Sequence, residues 1–313
     1  MSTYDALLIV SFGGPEKRDD VIPFLENVLR GRNVPRERML AVAEHYYHFD
    51  GRSPINDQNR ALIEALRPVI KLPIYWGNRN WHPLLADTVR QMQEDGIQHA
   101  VAFVTSAFGS YSGCRQYIED IERARGQLRI DKIRPFSAHP KFLEAMTDRV
   151  RAALAELPQG RLVFTAHSVP RSMADSSPYV GELERAAAAV ASAVGRDSWK
   201  LVYQSRSGPP GQPWLEPDIG DYLREIRSDV VIVPIGFLSD HMEVLYDLDT
   251  EARAVCEELG VKMVRAGTVG THPAMIEMIA EFVHQEHTPC AEGCCPAPQR
   301  PAVTSGLKAG PTS

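Results

Sequence analysis

The stretch Leu162-Val163-Phe164-Thr165-Ala166-His167-Ser168-Val169-Pro170 is a run of mostly apolar residues that ends in a histidine and a turn. Short, continuous apolar runs of this kind are typical of strands buried on both faces. A second run, Val231-Ile232-Val233-Pro234-Ile235-Gly236-Phe237, leads into a segment rich in carboxylates that contains His241. In open α/β sheets, ligands bind beyond the carboxyl ends of the strands. A histidine and nearby carboxylates at that edge predict a site that receives a metal ion and passes it on.

Apolar strand-like runs alternate with amphipathic helical stretches along the chain. Continuous apolar strands joined by helices predict parallel sheets with helices on both faces. Four strands in each half predict an α/β protein of two similar Rossmann-like domains, each a four-stranded parallel sheet flanked by helices, with a cleft between them. The predicted strands are 6–12, 72–76, 100–105, 130–136, 161–166, 200–205, 230–237 and 261–266, and the predicted helices include 84–94, 141–156, 179–194, 219–226 and 273–285.

The predicted domain boundary lies at Leu157-Pro158-Gln159-Gly160, which has the composition of a turn. It divides the chain into an N-terminal domain (1–158) and a C-terminal domain that carries the metal residues (159–287). The remaining 288–313 form a cysteine-containing tail, predicted to be largely disordered because 296–313 are rich in Pro, Gly, Ser and Ala.

Composition excludes several classes of protein. The chain has 313 residues, of which 44% are hydrophobic and 24% charged, values typical of a globular protein. The net charge of -6 argues against a general nucleic-acid binder, which needs a basic excess to neutralise phosphates. No apolar run approaches the roughly 20 residues that span a bilayer, and no secretory signal is apparent, so a cytoplasmic location is expected. Five cysteines, an odd and unevenly placed set, argue against a disulfide framework.

The first predicted strand is followed by Ser11-Phe12-Gly13-Gly14-Pro15. A phosphate-binding loop would need the spacing G-x-G-x-x-G or G-x-x-x-x-G-K, and neither is present. A nucleotide site is therefore weakly supported, and the alternative is a tight turn between a strand and a helix.

Three carboxylates, Glu243, Asp247 and Glu251, follow the second apolar run at intervals of four residues. If this segment is helical, they lie on one stripe and repel one another unless a cation or a proton relieves them. That arrangement favours a cation track, and the alternative is a solvated acidic face. His167 by itself would more often be a capped turn residue, but its position beside a second strand of the same kind favours a ligand.

Several strings together resemble the ferrochelatase family, enzymes that insert ferrous iron into a porphyrin in haem synthesis. The similarity extends from about residue 4 to 286. It implies a lyase with the class II chelatase fold. The strings are Gly51-Arg52-Ser53-Pro54-Ile55, Tyr75-Trp76-Gly77-Asn78-Arg79 and the segments 164–170, 204–217 and 236–249.

Two further strings resemble the actinobacterial members of the family. They are Ser110-Tyr111-Ser112-Gly113-Cys114-Arg115-Gln116-Tyr117 and the pair Cys294-Cys295. These members belong to the branch that uses coproporphyrin III. The resemblance therefore implies Fe(II) and coproporphyrin III as substrates and Fe-coproporphyrin III as the product.

The resemblance also implies the roles of individual residues. His167 and Glu243 would be catalytic and would hold Fe²⁺ on one side of the macrocycle, with Asp247 and Glu251 along the metal path behind them. Metallation displaces two pyrrole protons, and one lone pair of a neutral His167 cannot both accept a proton and bind iron, so Glu243 would take the other role. Phe12 is a departure, because some coproporphyrin-using members carry a tyrosine there that can ligate iron, and a phenyl ring has no donor atom. The positions that match porphyrin contacts are Phe12, Arg30, Tyr46, Ser53, Arg79 and Tyr117.

Cys290, Cys294 and Cys295 lie within six positions near the C-terminus. Thiolate clusters of this density usually hold zinc or an iron–sulfur centre. Several ferrochelatases carry a [2Fe–2S] cluster with one internal and three C-terminal cysteines, and the resemblance implies such a cluster here. The fourth ligand would be Cys256 or Cys114, and Cys256 is preferred because Cys114 belongs to the stretch assigned to the porphyrin pocket. The alternative is an unligated, reactive tail.

Three alternative functions stay open. They are a ferrochelatase that uses protoporphyrin IX, a cobalt or nickel chelatase for sirohydrochlorin, and a non-catalytic tetrapyrrole carrier or haem sensor. A carrier would not need both His167 and Glu243, so their presence favours an enzyme. The expected partners are porphyrin and ferrous iron, with transient contacts to neighbouring haem-pathway enzymes and without nucleic acid or a transmembrane segment.

Overall fold

Two parallel sheets of four strands each form the centre of the molecule. The computed structural model describes residues 3–31, 34–208 and 211–298. The strands are β1 (Ala6–Ser11), β2 (Ile74–Asn78), β3 (His99–Val104), β4 (Arg129–Lys132), β5 (Arg161–His167), β6 (Trp199–Gln204), β7 (Val230–Val233) and β8 (Met263–Arg265). The first sheet has the order β2-β1-β3-β4 and the second β6-β5-β7-β8, so the two halves share one topology. The predicted fold class is confirmed.

Helices connect the parallel strands, because a crossover between parallel strands needs a long connection. The α-helices are α1 (Val21–Val28), α2 (Arg36–Tyr47), α3 (Ile55–Leu66), α4 (Leu85–Glu94), α5 (Gln116–Ala124), α6 (Pro140–Glu156), α7 (Arg171–Asp175), α8 (Tyr179–Ala193), α9 (Ile219–Ile226), α10 (Met242–Val244), α11 (Arg253–Leu259) and α12 (Pro273–Val283). Arg18–Asp20 forms a short 3₁₀ turn, and Tyr111–Arg115 and Leu245–Ala252 are π-helical, with i→i+5 hydrogen bonds. Among the described residues, no helix is both long and apolar enough to cross a membrane.

Strands β4 and β7 each end four residues before the end that the sequence predicts. β7 ends at Val233 because Pro234 has no N–H to donate to the sheet. The chain then folds back, and the Gly236 N–H donates to the carbonyl of Thr165 at 3.1 Å. β4 ends at Lys132 rather than at 136, because the Phe136 N–H turns to the Ala107 carbonyl, outside the ladder, at 3.0 Å.

Contacts cross the predicted domain boundary at 158, which stays a prediction. Helix α6, assigned by sequence to the first domain, packs against α8, α12, β7 and β8 of the second half. One hydrophobic core also includes residues of both sheets, among them Phe103 and Phe164, so the halves share a continuous interior.

The turn after β1 supports the non-nucleotide alternative. A Cβ atom at Gly13, where φ is +79°, would lie 2.8 Å from the Cβ of Asn78. A Cβ atom at Gly14 would lie 2.7 Å from the Cβ of Ser53. Close packing of the turn on these two side chains accounts for both glycines.

Part of the tail is docked on the protein. Arg115 donates to the carbonyl oxygens of Cys294 at 2.9 Å and Ala291 at 3.2 Å. The prediction of a largely disordered tail from 288 therefore fails for 288–298, and its remaining part, 299–313, lies outside the described residues.

Candidate active site

The carboxyl ends of β5 and β7 bring His167 and Glu243 together. These strands are hydrogen-bonded parallel neighbours, so the segments that follow them leave the sheet at the same edge. His167 is the last residue of β5, and Glu243 lies in α10, directly after the loop that follows β7. Nε2 of His167 is 3.5 Å from Oε1 of Glu243, and the side chains are 33% and 45% exposed. The pair is therefore formed in advance and open to a ligand.

The loop between β7 and α10 approaches β5 closely because residue 236 is glycine. A Cβ atom there would lie 2.7 Å from the Cβ and 2.8 Å from the Cα of Ala166. Real side chains essentially never come so close, so only glycine lets the loop cross the end of β5. This crossing brings Glu243 beside His167.

The His167 ring is fixed through its other nitrogen. Nδ1 lies 2.5 Å from the carbonyl oxygen of Ser168, so the Nδ1–H donates there and Nε2 is directed at Glu243. The hydroxyl of Tyr179 donates to the His167 carbonyl at 3.0 Å and holds the end of β5. The nitrogen that faces Glu243 is thus the one available to iron or to a proton.

Each member of the pair keeps the other charged. Burial by itself would lower the pKa of His167, but the Glu243 carboxylate, the Ser168 carbonyl and Asp247 outweigh it and raise the pKa to about 9. Burial would raise the pKa of Glu243, but His167 and His241 outweigh it and lower the pKa to about 2. At neutral pH the free protein therefore holds an imidazolium and a carboxylate, and the neutral His167 expected from sequence arises only after a proton leaves.

A second histidine, His241, belongs to the same site, although sequence reasoning assigned it no role. Its Nδ1 accepts the Glu243 N–H at 3.2 Å and caps α10, and its ring lies 4.9 Å from that of Phe237. Burial lowers the pKa of His241, and the charge of Glu243 opposes the shift. The signal in the sequence is its place two residues before Glu243.

Two of the three carboxylates of the predicted cation track, Asp247 and Glu251, lie in the π-helix that follows α10. Burial, reinforced by Glu243, raises the pKa of Asp247 to about 7, although hydrogen bonds from Ser205 and Gln204 oppose the shift. Burial and the charge of Asp218 raise the pKa of Glu251. Asp247 therefore gains and loses a proton near neutral pH beside the His167–Glu243 pair.

Two residues that sequence reasoning missed hold this track in place. The buried amide of Gln204 donates to the Glu243 carbonyl at 3.1 Å and to the Asp247 carboxylate at 3.2 Å. Arg265 binds Asp240 at 3.0 Å and Asp249 at 2.7 Å, and so joins the loop before α10 to the π-helix. Gln204 could have been found from its place at the end of a predicted strand, whereas Arg265 gives no local signal.

Phe12 and Tyr46 lie on the N-terminal side of the site. Phe12 is 37% exposed, and its ring lies 6.2 Å from that of Phe24, which packs in turn on Tyr46 at 5.6 Å. Burial and the charge of Glu243 raise the pKa of the Tyr46 phenol, which places this side chain near Glu243. Tyr46 therefore connects this aromatic group of the first half with Glu243 of the second.

Arg30 and Ser53 have very different surroundings. Arg30 is exposed and donates to the Asn27 side chain at 2.5 Å, so its guanidinium has room for a further anion. Ser53 is 4% exposed and packs against Gly14. Arg30 is therefore open to solvent, whereas Ser53 is enclosed against the turn after β1.

Arg79 and Tyr117 lie together but are occupied. The Arg79 guanidinium, with a side chain 9% exposed, pairs with Asp120 at 2.5 Å and stacks 4.6 Å from the centre of the Tyr117 ring. Tyr117 is itself only 5% exposed. Asp120 already neutralises this arginine, so a substrate carboxylate would have to compete for it.

The tail cysteines approach Cys114 and not Cys256. A hydrogen bond between the thiols of Cys114 and Cys290 raises the pKa of Cys114 and lowers that of Cys290. The sulfur atoms of Cys294 and Cys295 are 3.7 Å apart. Cys256 is buried in the core around β7 and α11. The preference for Cys256 was therefore wrong, because tail docking on Arg115 brings the thiols to the π-helix that contains Cys114.

Comparison with known proteins gives one consistent result. The family model described as ferrochelatase matches residues 4–287. The chain is 51% identical to the ferrochelatase of Rhodopirellula baltica, with 97% of each chain covered. It is 48% identical to the coproporphyrin III ferrochelatases of Streptomyces coelicolor (96% of each chain covered) and Frankia alni (95% of this chain and 87% of that one).

Solved structures agree with the fold. The sirohydrochlorin chelatase SirB from Bacillus subtilis subspecies spizizenii, in complex with cobalt, is similar with a TM-score of 0.57 at 13% identity, covering 89% of this chain and 92% of its own. CbiX, described as the terminal enzyme for biosynthesis of sirohaem in denitrifying bacteria, gives a TM-score of 0.54 at 16% identity, covering 89% of this chain and 97% of its own. At these identities the likeness shows the chelatase fold alone.

Proposed function

This chain belongs to the ferrochelatase family, and we propose that it inserts Fe(II) into coproporphyrin III to give Fe-coproporphyrin III in haem biosynthesis. The observation that carries the proposal is the His167–Glu243 pair, formed in advance at the carboxyl edge of the second sheet. The names of the actinobacterial relatives support coproporphyrin III as the porphyrin.

The proposed chemistry begins with the proton on His167. Glu243 is negatively charged and would attract Fe²⁺. The protonated Nε2 of His167 cannot bind iron until it releases its proton. Iron binding at Nε2 is therefore coupled to proton loss, as for other metal ligands that must be deprotonated. Asp247, with a pKa of about 7, can take up such a proton and pass it on.

Pyrrole deprotonation needs a second acceptor. The two pyrrole protons leave the ring as iron enters, and a base must lie within hydrogen-bond reach of each. In this scheme His167 and Glu243 alternate between holding iron and accepting a proton, and Asp247 and Glu251 form the path behind them. Phe12 offers no donor atom from the other face, so the protein would ligate iron only from the His167 side.

The porphyrin carboxylates are proposed to select the substrate. Arg30 is the exposed cation among the proposed contacts, and Tyr46 and Ser53 offer hydroxyl groups from the same half. Arg79 and Tyr117 would contribute only if substrate displaces the Asp120 pair. Coproporphyrin carries four propionates and protoporphyrin two, so the former can make more charge-assisted hydrogen bonds.

The direct test is anaerobic metallation followed by absorption spectroscopy. Purified protein, Fe(II) and either coproporphyrin III or protoporphyrin IX are mixed, and the loss of the free-base bands is measured. We expect kcat/KM to be about tenfold higher or more with coproporphyrin III, the effect of one additional bond of about 1.4 kcal/mol. A preference for protoporphyrin IX would refute the substrate assignment, and the absence of turnover with either porphyrin would refute the enzyme.

The [2Fe–2S] cluster stays a separate proposal, with Cys114 replacing Cys256 beside Cys290, Cys294 and Cys295. The support is the number of thiols at this place and the docking of the tail by Arg115. Within 3–31, 34–208 and 211–298, however, no three His, Cys, Asp or Glu side chains are grouped closely enough to hold a metal ion. The described thiols thus do not fit a cluster as they stand. Iron and sulfide analysis of anaerobically purified protein, with Cys114→Ser and Cys256→Ser compared, decides the matter.

The remaining assignments follow from the pathway. We propose a cytoplasmic location and transient contacts with the enzymes that supply the porphyrin and consume the product. Cell fractionation and crosslinking in the native host would test both.

A further inference from the structure

One side chain joins the N-terminal half to the loop that carries Glu243. Gln58, in α3, binds both backbone groups of Asp240: its Nε2 donates to the Asp240 carbonyl at 2.6 Å, and the Asp240 N–H donates to its Oε1 at 2.9 Å. A side-chain amide offers a donor and an acceptor at one end, which a carboxylate or a thioether does not. This pairing therefore resembles a short piece of backbone ladder between the halves.

The same loop is held from the other side by Arg265. This arginine binds the carboxylate of Asp240 at 3.0 Å and that of Asp249 at 2.7 Å, with a side chain only 13% exposed. The backbone of Asp240 is thus bound by one half and its carboxylate by the other. Glu243 follows three residues later, and its N–H is capped by His241.

The beginning of α3 is fixed to the turn after β1. The Ser53 N–H donates to the Pro15 carbonyl at 2.8 Å. A Cβ atom at Gly14 would lie within 2.8 Å of both Ser53 and Ile55, so these segments are in close contact. Gln58 therefore lies at the junction between the turn after Phe12 and the loop before Glu243.

We propose that Gln58 is a positioning residue for metal insertion, and that its amide holds the 238–241 loop so that Glu243 stays opposite Nε2 of His167. The inference rests on the proposed function of that pair. Gln58 contacts neither iron nor porphyrin in this scheme and acts only through the backbone of Asp240. Because a displacement of about 1 Å in a reacting group can cost up to about 100-fold in rate, two hydrogen bonds to this loop are enough to matter.

The test uses Gln58→Met, which keeps the length of the side chain and removes both hydrogen bonds. We expect kcat to fall about tenfold, with the KM for porphyrin within about twofold of the parent, since the porphyrin contacts are intact. Glu64→Met is the matched control, because Glu64 is exposed on the same helix and pairs only with Arg67 in the described contacts. It should leave kcat unchanged. Thermal unfolding of both variants identifies loss of folded protein.

A second measurement does not depend on turnover. Hydrogen exchange is followed in peptides that cover 236–245 and in peptides that cover β5. In Gln58→Met we expect exchange in 236–245 to rise about fivefold or more, with β5 unchanged, because the loop loses its attachment and opens more often.

Four results would overturn the proposal. They are unchanged exchange in 236–245, faster exchange with unchanged kcat, a lower melting temperature with kcat per folded protein unchanged, and a rise in porphyrin KM alone. The last would make Gln58 a substrate contact. A parent without turnover would instead refute the proposed function, while the exchange result would still decide whether Gln58 holds the loop.

Discussion

His167 and Glu243 behave differently from an isolated histidine and an isolated carboxylate because each stabilises the charge of the other. In the resulting ion pair, Nε2 of His167 carries a proton and cannot bind a metal ion until that proton leaves. In the proposed reaction, iron would therefore compete with a proton for Nε2, and metal affinity should rise with pH. At the scale of single residues, the proposed metal site is thus also a site that binds and releases a proton.

The first prediction concerns His167→Ala. Porphyrin should still bind, because Arg30 and the apolar surface around Phe12 are unchanged. Metallation should slow by about two orders of magnitude or more, the scale of a lost acid–base group. Stopped-flow absorption with Fe(II) and coproporphyrin III measures this rate, and His284→Ala, at an exposed helix end, is the control. A rate within a few-fold of the parent would exclude His167 from the reaction.

The second prediction concerns the stability of Asp247→Asn as a function of pH. Burial raises the folded-state pKa of Asp247 to about 7, above the ordinary value of 3.8 for an aspartate side chain. Between these values the folded protein binds more protons than the unfolded chain, so this residue makes stability fall as pH rises from about 4 to about 7.

Asparagine does not ionise, so Asp247→Asn removes the loss of stability that deprotonation of Asp247 causes. We expect Asp247→Asn to match the parent near pH 4 and to exceed its free energy of unfolding by on the order of 1–3 kcal/mol at pH 8. Urea unfolding across this range gives the comparison. A variant less stable than the parent at every pH would mean that the bonds from Ser205 and Gln204 outweigh the cost of the charge.

At the scale of elements, the loop after β7 and the π-helix after α10 determine the site together. The i→i+5 turn keeps Asp247 and Glu251 on the side of the helix that continues from Glu243. Such turns are rare and occur often at functional sites. Arg265 joins both elements through Asp240 and Asp249, so a shift in one is transmitted to the other.

The third prediction concerns Gly236→Ala. The new methyl group would lie within 2.8 Å of Ala166, so the loop must move away from β5. We expect a loss of about 1–3 kcal/mol in stability and a lower kcat, because Glu243 moves with the loop. Gly267→Ala is the control, since its Cβ would meet only the Arg149 side chain at 3.5 Å. We expect a lower melting temperature and a lower turnover in Gly236→Ala than in Gly267→Ala. Equal values in the two variants would show that the loop can cross the end of β5 with a side chain at position 236.

At the scale of the whole molecule, the two halves are one folding unit. A single apolar cluster contains Leu7 and Phe103 of the first sheet and Phe164 and Val233 of the second. Helix α12, at the end of the second half, also packs on α3 of the first. The pairing of Gln58 with Asp240 crosses the same boundary. Separating the halves would therefore expose apolar surface of both.

The fourth prediction follows from this shared core. Calorimetry should give one unfolding transition whose calorimetric and van't Hoff enthalpies agree, because burial in each half depends on the other. A fragment of residues 1–139 should bind a hydrophobic dye and lack a cooperative transition. Two resolved transitions in the full chain would contradict the shared core.

Local pattern was sufficient for much of the architecture. Strands buried on both faces appear as apolar runs, and all eight were predicted, with β5 and β6 within one residue at each end. Helix α9 was predicted with its observed bounds because its apolar face is strongly periodic. The helices named from the sequence did not include α1, α2, α3, α5, α7 or α11. His167 and Glu243 were found because each follows a strand of this kind, and strand ends meet at one edge in a parallel sheet.

The repeated α/β topology and the pairing of His167 with Glu243 could be predicted from the sequence, since both follow from apolar runs and the residues directly after them. Three contacts became visible only in the folded chain: the tail on Arg115 beside Cys114, α6 against the second half, and Arg79 with Asp120. The tertiary structure also decided the charge of His167, which depends on a carboxylate 76 positions away, 243 − 167, brought to 3.5 Å. The burial of a side chain, its pKa and the Gln58–Asp240 pairing all depend on residues that pack together in the fold. Such residues can be far apart in the sequence, so local sequence patterns do not predict these features.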